Sequence, residues 1–339
     1  MSLEYPVATG FTPGVFGRGN SLYLRVILVV YSRELSDSMS ENQASLPVVG
    51  IIGLGLMGKP MCFNLLNKGF AVYAHNRSEG KRVEAERAGA RVPGSAREVA
   101  RNSDVLITML PDTSDVERVL LGDERVLDSL RPESVYIDMS TISPAFTREL
   151  AGRCAEKGIA MLDAPVTGGD VGAINGTLSI MVGGELAVLD RCRPVLEALG
   201  DKITHVGPSG SGQVVKLVNQ IVGVGNTLAM AEGLLFARRA GVDPESALRA
   251  IEGGAAGSWM LTHRGPQVLA DDWAPGFTIE LQQKDVRLAL EAADACGAPL
   301  FAAKTVHSLY QSLLNRGLGR EGNHALIKAL EYLSGDRKD

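Results

Sequence analysis

Cysteine is scarce: Cys62, Cys154, Cys192 and Cys296 are spread over 339 residues, and no two stand at CxxC spacing. That pattern excludes a disulfide framework and fits a reducing, cytoplasmic setting. The five histidines, at 75, 205, 263, 307 and 324, are just as scattered, so no metal site is expected. Blocks of one-sign charge are missing too. The net charge is −5 with acids and bases interspersed, which argues against nucleic acid or an anionic membrane as partner. Any anion site must be local.

Long hydrophobic runs are also lacking. The run at 22–31 is broken by Arg25 and falls well short of the roughly 20 apolar residues that span a bilayer. It has no basic n-region and no small-residue cleavage site, so it is not read as a signal peptide. The uncharged stretch 217–231 contains Asn219, Gln220, Asn226 and Thr227 and reads as a buried core helix, with no membrane expected. Residues 1–45, with "ATGFTPGVFGRGN" and "SRELSDSMSENQASLP", read as a leader outside the fold, Met39 standing just before the first strong strand. Glu4, Glu34 and Asp37 weaken a transit-peptide reading.

What is present is a globular composition, 45% hydrophobic and 22% charged, in a chain longer than one core usually fills. Two domains are expected. From Pro47, the runs "VVGIIG", "AVYAH", "DVLITML", "SVYIDMS" and "GIAMLDA" alternate with amphipathic segments, the rhythm of βαβ units. "LSIMVGG" and "KITHVG" extend the sheet. After Pro208 only helices are read, punctuated by "AGVDPES", "EGGAAGS", "DDWAPGF", "CGAP" and "GLGREGN". The predicted fold class is α/β: a Rossmann-type doubly wound, mostly parallel sheet over 46–208, then an all-α C-terminal domain over 209–335. "GPSGSG" at 207–212 joins them.

"GIIGLGLMGKPM" sets Gly53, Gly55 and Gly58 between an apolar strand and a helix. In that context GxGxxG has a physical reading: a tight turn, a backbone able to approach a pyrophosphate, and close helix packing. The helix N-terminus then offers N–H groups to phosphate. Where an NAD-binding chain carries an acid for the ribose 2′-hydroxyl, this one has His75, Asn76, Arg77 and Ser78. A guanidinium and two small donors suit a 2′-phosphate, so NADP (NADPH) is preferred, with NAD as the alternative. A solvated turn arginine is the plainer explanation of Arg77.

"QVVKLVNQIVGVGNTLAMAEG" at 213–233 sets one lysine, Lys216, among valines and leucines. Desolvation disfavours its charged form, bringing its pKa toward the range useful to a general acid. A snorkelling lysine with its head in water has the same sequence signature. Asn219 and Gln220, three and four residues on, share its helical face. "DMSTISP" ends a strand at Ser140 and Thr141 and starts a helix at Ser143-Pro144; "PVTGGDVGA" offers backbone N–H groups near a strand end. Either is an anion holder or merely a cap or turn. Lys284 beside Asp285 reads as an exposed pair, Trp259 and Phe277 as core anchors or pocket walls, and Asp163 as a turn or cap residue.

"GLGLMGKPM", "MLPD" at 109–112, "DMSTISP", "DAPVTGGDVGAINGTLSIMVGG" at 163–184, "GSGQVVKLVNQ" at 210–220 and "QQKDVRLALE" at 282–291 occur in this order. Together they resemble the β-hydroxyacid dehydrogenase family, the group of 3-hydroxyisobutyrate dehydrogenase-like enzymes, over roughly 47–335. "GSWML", "APGF" and "GLGREGNHALI" resemble its tartronate semialdehyde reductase branch, although members of that branch often carry an acid where this chain has Asn-Arg-Ser. The resemblance implies that Lys216 is catalytic. Ser140, Thr167, Gly168, Gly169, Asn219 and Gln220 would bind substrate. Gly53, Leu54, Gly55, Leu56, Met57, Gly58, Asn76, Arg77, Ser78, Met109, Leu110, Pro111, Thr141 and Lys284 would bind cofactor, Lys284 closing over the site. The implied reaction is NAD(P)H-dependent reduction of a small carboxylic-acid semialdehyde or β-oxo acid, first tartronate semialdehyde to glycerate, in a homodimer or homotetramer. Alternatives are 3-hydroxyisobutyrate or succinic semialdehyde/4-hydroxybutyrate chemistry, or a non-catalytic NADP-binding module; imine reduction ranks below, since imine reductases usually replace the lysine.

Overall fold

The structure, a computed structural model, describes residues 46–336, so the expected leader lies outside the described residues. Five parallel strands form the first part of the sheet: β1 (Val49–Ile52), β2 (Val72–His75), β3 (Val105–Thr108), β4 (Val135–Asp138) and β5 (Ala160–Asp163), in the order β2-β1-β3-β4-β5. Every residue of β1, β3 and β4 is buried, which is why they read as continuous apolar runs instead of alternating ones. Alternation survives in three dimensions. Val49, Ile51, Val105, Ile107, Val135 and Ile137 enter one core while Ile52, Leu106 and Tyr136 enter the other. Helices α1 (Gly58–Asn67), α2 (Glu79–Arg87), α3 (Ala96–Arg101), α4 (Thr113–Leu120), α5 (Pro144–Ala155), α6 (Gly169–Asn175) and α7 (Leu186–Glu197) connect the strands.

The far edge of the sheet is not parallel. β7 (Ser179–Gly183) runs antiparallel to β5 and to the two-residue β6 (Val166–Thr167), and β8 (Lys202–Gly207) is parallel to β7. The reading from sequence passed over β6, which is too short to show a period.

Among the described residues no strand follows Gly207. Helices α8 (Ser211–Arg239), α9 (Pro244–Ile251), α10 (Trp259–Leu269), α11 (Ile279–Cys296), α12 (Phe301–Asn315) and α13 (Leu326–Ser334) make up the rest. α8 is the spine against which all five others pack. Asp243, Ser258 and Thr278 cap α9, α10 and α11 by accepting from the third N–H onward, the role short polar side chains serve at helix starts. α8 is long and apolar enough to cross a membrane by length and composition. One face of it, Val214, Val218 and Val222, is exposed.

The start of α8 is stitched to the sheet. Asp163, at the end of β5, accepts from Gly210 N (2.8 Å) and Gln213 N (2.9 Å), a cap supplied from another element. Gly212 permits the approach, since a Cβ there would stand 2.5 Å from the Met181 carbonyl. Gln213 adds two bonds to the β4–α5 turn: Ile142 N donates to its Oε1 (3.1 Å) and its Nε2 donates to Ser140 O (2.8 Å). Lys216, one turn further on, is thereby fixed at the carboxyl ends of the strands.

Candidate active site

A cavity of about 1210 Å³ opens where the strand order reverses between β1 and β3, walled by the strand ends on one side and α8, α10 and α11 on the other. Open α/β sheets bind ligands at that place. All the residues predicted for the site line it except Leu54 and Ser140.

At one end the glycine turn is built from backbone. Gly53 has φ +103, and a Cβ on it would stand 2.3 Å from Met109 O. A Cβ on Gly58 would stand 1.9 Å from Gly53 O, so α1 packs directly on the turn. Gly55 has nothing within 4 Å of its Cβ position, yet it faces the cavity. Room left beside Gly55 with helix α1 starting at Gly58 fits a pyrophosphate. Leu54 stands apart from the lining: its side chain is fully buried and its N–H donates to Asn76 Oδ1 (3.0 Å). Asn76 thus locks the turn to the end of β2 as well as lining the cavity.

Arg77 and Ser78 are exposed at the mouth. Lys81 and Arg82 from α2 and Arg118 from α4 join them. "SEGKR" at 78–82 carries Lys81 and Arg82 as a local signal just past β2, whereas Arg118 is brought in from α4 by the fold and has no such signal. Ser78 holds the N-cap position of α2 without a side-chain capping bond, which leaves its hydroxyl for a ligand. Met109, Leu110 and Pro111 form the wall beneath.

The other end holds buried charge. Lys216 is 7% exposed, and no acceptor among the described residues bonds its ammonium. Desolvation lowers its pKa to about 8, against the pull of Asp285 and with the help of Lys284. The snorkelling alternative is thereby set aside: the head is inside. Asn219 Nδ2 donates to Gln220 Oε1 (2.8 Å), and Gln220 Nε2 donates to Asp285 Oδ2. Lys284 pairs with Asp285 (2.6 Å) and donates to Thr141 O (2.7 Å), joining α11 to the end of β4. The pair expected at the surface is enclosed, with side chains 13% and 1% exposed.

Asp285 is therefore the site residue that sequence reasoning undervalued. Its neighbourhood comes from α8, α11 and the β4–α5 turn, which no local pattern brings together. Thr167, Gly168 and Gly169 line the cavity, the two glycines at φ +132 and +65, in the left-handed region that favours glycine. Trp259 and Phe277 prove to be cavity walls, joined by Arg264, Gln282 and Asn323.

Ser140 also lies outside the cavity lining. It is fully buried, its Oγ donates to Asp138 Oδ1 (2.7 Å) and accepts from Leu110 N (2.9 Å), and its carbonyl is taken by Gln213. Its polar atoms hold the strand ends in register and do not reach the cavity. Asp138 beneath it also accepts from Thr108 Oγ1 (2.8 Å), and burial pushes its carboxyl up to about 6.

Comparison with known proteins matches this architecture. Residues 48–207 fit the family model of the NAD-binding domain of 6-phosphogluconate dehydrogenase, and 210–330 fit the NAD-binding region of NADP-dependent 3-hydroxyisobutyrate dehydrogenase. The chain is 41% identical to the 2-hydroxy-3-oxopropionate reductase of Escherichia coli, over 84% of this chain and 98% of that protein. It is 38% identical to the 2-(hydroxymethyl)glutarate dehydrogenase of Eubacterium barkeri, over 85% and 96%. The solved structure of Mycobacterium tuberculosis 3-hydroxyisobutyrate dehydrogenase with L-serine superposes with a TM-score of 0.78 at 34% identity, over 84% of this chain and 99% of that one. A dinucleotide turn at one end of the cavity, a dry lysine at the other and these matches over both halves make the chain a member of the β-hydroxyacid dehydrogenase family, NAD(P)-dependent oxidoreductases that act on hydroxyl groups.

Proposed function

We propose that this protein uses NADPH to reduce a small 2-substituted 3-oxo acid, and in reverse oxidises the matching 3-hydroxy acid, with Lys216 moving the proton. The carrying observation is Lys216 itself, a desolvated and unpaired lysine in the same cavity as the dinucleotide turn. The relatives named for 2-hydroxy-3-oxopropionate, 2-(hydroxymethyl)glutarate and 3-hydroxyisobutyrate support the substrate class. Those compounds share a carboxylate, a neighbouring carbon with one variable substituent, and a terminal carbon at the aldehyde or alcohol level. Tartronate semialdehyde, giving glycerate, is the preferred substrate in this reading. Thr167, Asn219 and Asn323 line the substrate end and offer a hydroxyl substituent partners that a methyl leaves unpaired.

The nicotinamide supplies or accepts the hydride when bound. The protein's part is binding, orientation and proton transfer. As negative charge grows on the carbonyl oxygen, the Lys216 ammonium gives it a proton from Nζ; in the oxidative direction the neutral amine takes the proton back. A pKa near 8 serves both directions, and such acid–base help contributes about 10² to 10⁴ in rate. The Thr167–Gly168–Gly169 turn, which lines the cavity, would hold the carboxylate through its backbone N–H groups. Lys284, tied to Asp285 and to Thr141 O, keeps the wall beside the reacting carbon in place.

For the cofactor, Arg77, Ser78, Lys81 and Arg82 gather cationic and hydroxyl donors at the tip of β2, which supports the 2′-phosphate of NADPH over NADH. Four free cysteines support the cytoplasm as its compartment. The apolar face of α8 is where a second copy of the chain would dock, as a dimer or tetramer; sedimentation of the wild type and of Val218→Glu tests that.

Activity is tested by following NADPH and NADH oxidation with tartronate semialdehyde, succinic semialdehyde, methylmalonate semialdehyde and glyoxylate, with Lys216→Ala as control. The expected result is the highest kcat/KM for tartronate semialdehyde with NADPH, abolished in the variant. Tight NADPH binding without turnover of any aldehyde would favour a non-catalytic module. Turnover undiminished in Lys216→Ala ends the lysine mechanism.

A further inference from the structure

The basic side chains lining the cavity fall into two groups: Arg77, Lys81, Arg82 and Arg118 at the dinucleotide end, and Lys216, Arg264 and Lys284 at the substrate end. Lys284 is held by Asp285 and the Thr141 carbonyl, and Lys216 is assigned to the proton. Arg264 has no such employment.

Arg264 projects from α10 with its guanidinium 5.4 Å from the centroid of the Trp259 ring. Gly276 makes room for it, since a Cβ there would stand 2.4 Å from Arg264 Nη2 and 3.4 Å from Asp170 Oδ1. The guanidinium therefore sits in the wall between Gly276–Phe277 and the turn that runs from Thr167 to Asp170. It is half-buried, and desolvation draws its pKa below the ordinary arginine value, opposed by Asp170 and Asp272. Among the described residues, neither acid forms an ion pair with it. Asp272 is turned instead to Ala274 N (3.1 Å) and Gln267 Nε2 (3.2 Å). Of the guanidinium nitrogens, Nη1 has a protein acceptor, Gln267 Oε1 at 2.5 Å, while Nε is buried with no partner.

An arginine in a protein stays charged and presents five donors in a rigid fork. Nε is sealed inside the wall, whereas Nη2, beside the cavity-lining Gly276, has no protein acceptor among the described residues. Half-desolvating such a group with that donor unfilled is unfavourable, and an incoming oxygen acceptor at Nη2 recovers that energy. We infer that Arg264 determines specificity at the variable carbon of the substrate, selecting a substituent that carries oxygen, hydroxyl or carboxylate, over methyl. This rests on the reading of the site as one for 2-substituted 3-oxo and 3-hydroxy acids.

The test uses three stable hydroxy acids with NADP⁺: glycerate, 2-(hydroxymethyl)glutarate and 3-hydroxyisobutyrate, whose substituents are hydroxyl, carboxyethyl and methyl. Wild type is expected to favour at least one oxygen-bearing acid over the methyl acid, and the better of the two shows which substituent the wall is sized for. In Arg264→Met that preference in kcat/KM is expected to fall about 10- to 100-fold, the range for a hydrogen bond involving a charged group; Arg264→Lys is expected to keep part of it. An unchanged ratio overturns the assignment. So does an equal loss on all three acids shared by Arg264→Met and Asp170→Asn, which would make Arg264 a latch to Asp170 across the cleft. Should wild type oxidise none of the three, the proposed reaction fails, and calorimetry on the NADP⁺-loaded protein still reads Arg264. Glutarate is expected to bind more tightly than butyrate, with the difference lost in Arg264→Met; equal binding in wild type overturns the inference.

Discussion

The two ends of the cavity solve the problem of binding charge by opposite means. At the dinucleotide end, backbone does the work: Gly53, Gly55 and Gly58 lie in one turn, and the cations Arg77, Lys81, Arg82 and Arg118 surround the mouth. At the substrate end a few charges are enclosed, and each is tied to another part of the chain: Lys284 to the Thr141 carbonyl, Asp285 to the Gln220 amide, and Lys216 through the stitching of α8 to β5. Exposed charges are screened and share their duty, so losing one matters little. Enclosed ones act alone. Substitutions at the substrate end should therefore be far more damaging to turnover than those at the mouth.

The largest effect is expected for Lys216→Met. kcat should fall about 10² to 10⁴ in both directions, the share that general acid–base catalysis supplies. The fold should not suffer. The folded-state pKa of Lys216 is lowered from 10.5 to about 8, so its ammonium burdens the folded state at every pH below about 8, and the burden fades as pH rises toward the unfolded value. At pH 7 the methionine variant is expected to be more stable by roughly 1–3 kcal/mol, at about 1.4 kcal/mol per pKa unit, measured by denaturant unfolding. A variant that is both dead and destabilised would mean that Lys216 is structural.

Asp285→Asn comes next. It removes the partner of Lys284 and the acid that raises the Lys216 pKa. The reductive kcat/KM is expected to drop about 10- to 100-fold, the effect of weakening charged hydrogen bonds, and its alkaline inflection should move to lower pH. A drop with the inflection unmoved would mean that Asp285 acts through packing alone.

These two residues show what the sequence revealed and what it withheld. Lys216 stood out because an ammonium in an apolar helix is a local anomaly. Asp285 did not, because its importance comes from Gln220, 65 positions away, and from the closing of α11 over β4. The same distinction runs through the fold. The glycine turn, the parallel strands and the helical second half follow from periodicities over a few residues, whereas β6 is too brief to have one. Ser140 and Leu54 sit inside recognisable motifs, yet their polar groups are consumed by Asp138, Leu110 and Asn76. A motif gives the residues at a site but not which way each one faces.

At the mouth the effects should be smaller. Arg77→Glu is expected to raise the KM for NADPH about tenfold, with little change for NADH, through loss of a charge-assisted bond to the 2′-phosphate. Lys81→Ala alone should raise it no more than about threefold, since an exposed charge among several contributes a median of about 0–1 kcal/mol. If Lys81→Ala matched Lys216→Met in its effect on kcat, the contrast between the two ends would be wrong.

The central claim is that Lys216, dry and unpaired, carries the proton with a pKa near 8. It is tested most directly by the pH dependence of kcat/KM for NADPH-driven reduction. Because the protonated lysine is the required form, the rate should be level below pH 8 and fall with a one-proton slope above it, while the oxidative direction rises through the same pH. A reductive profile that stays level to pH 10, or that keeps its inflection in Lys216→Met, would contradict it.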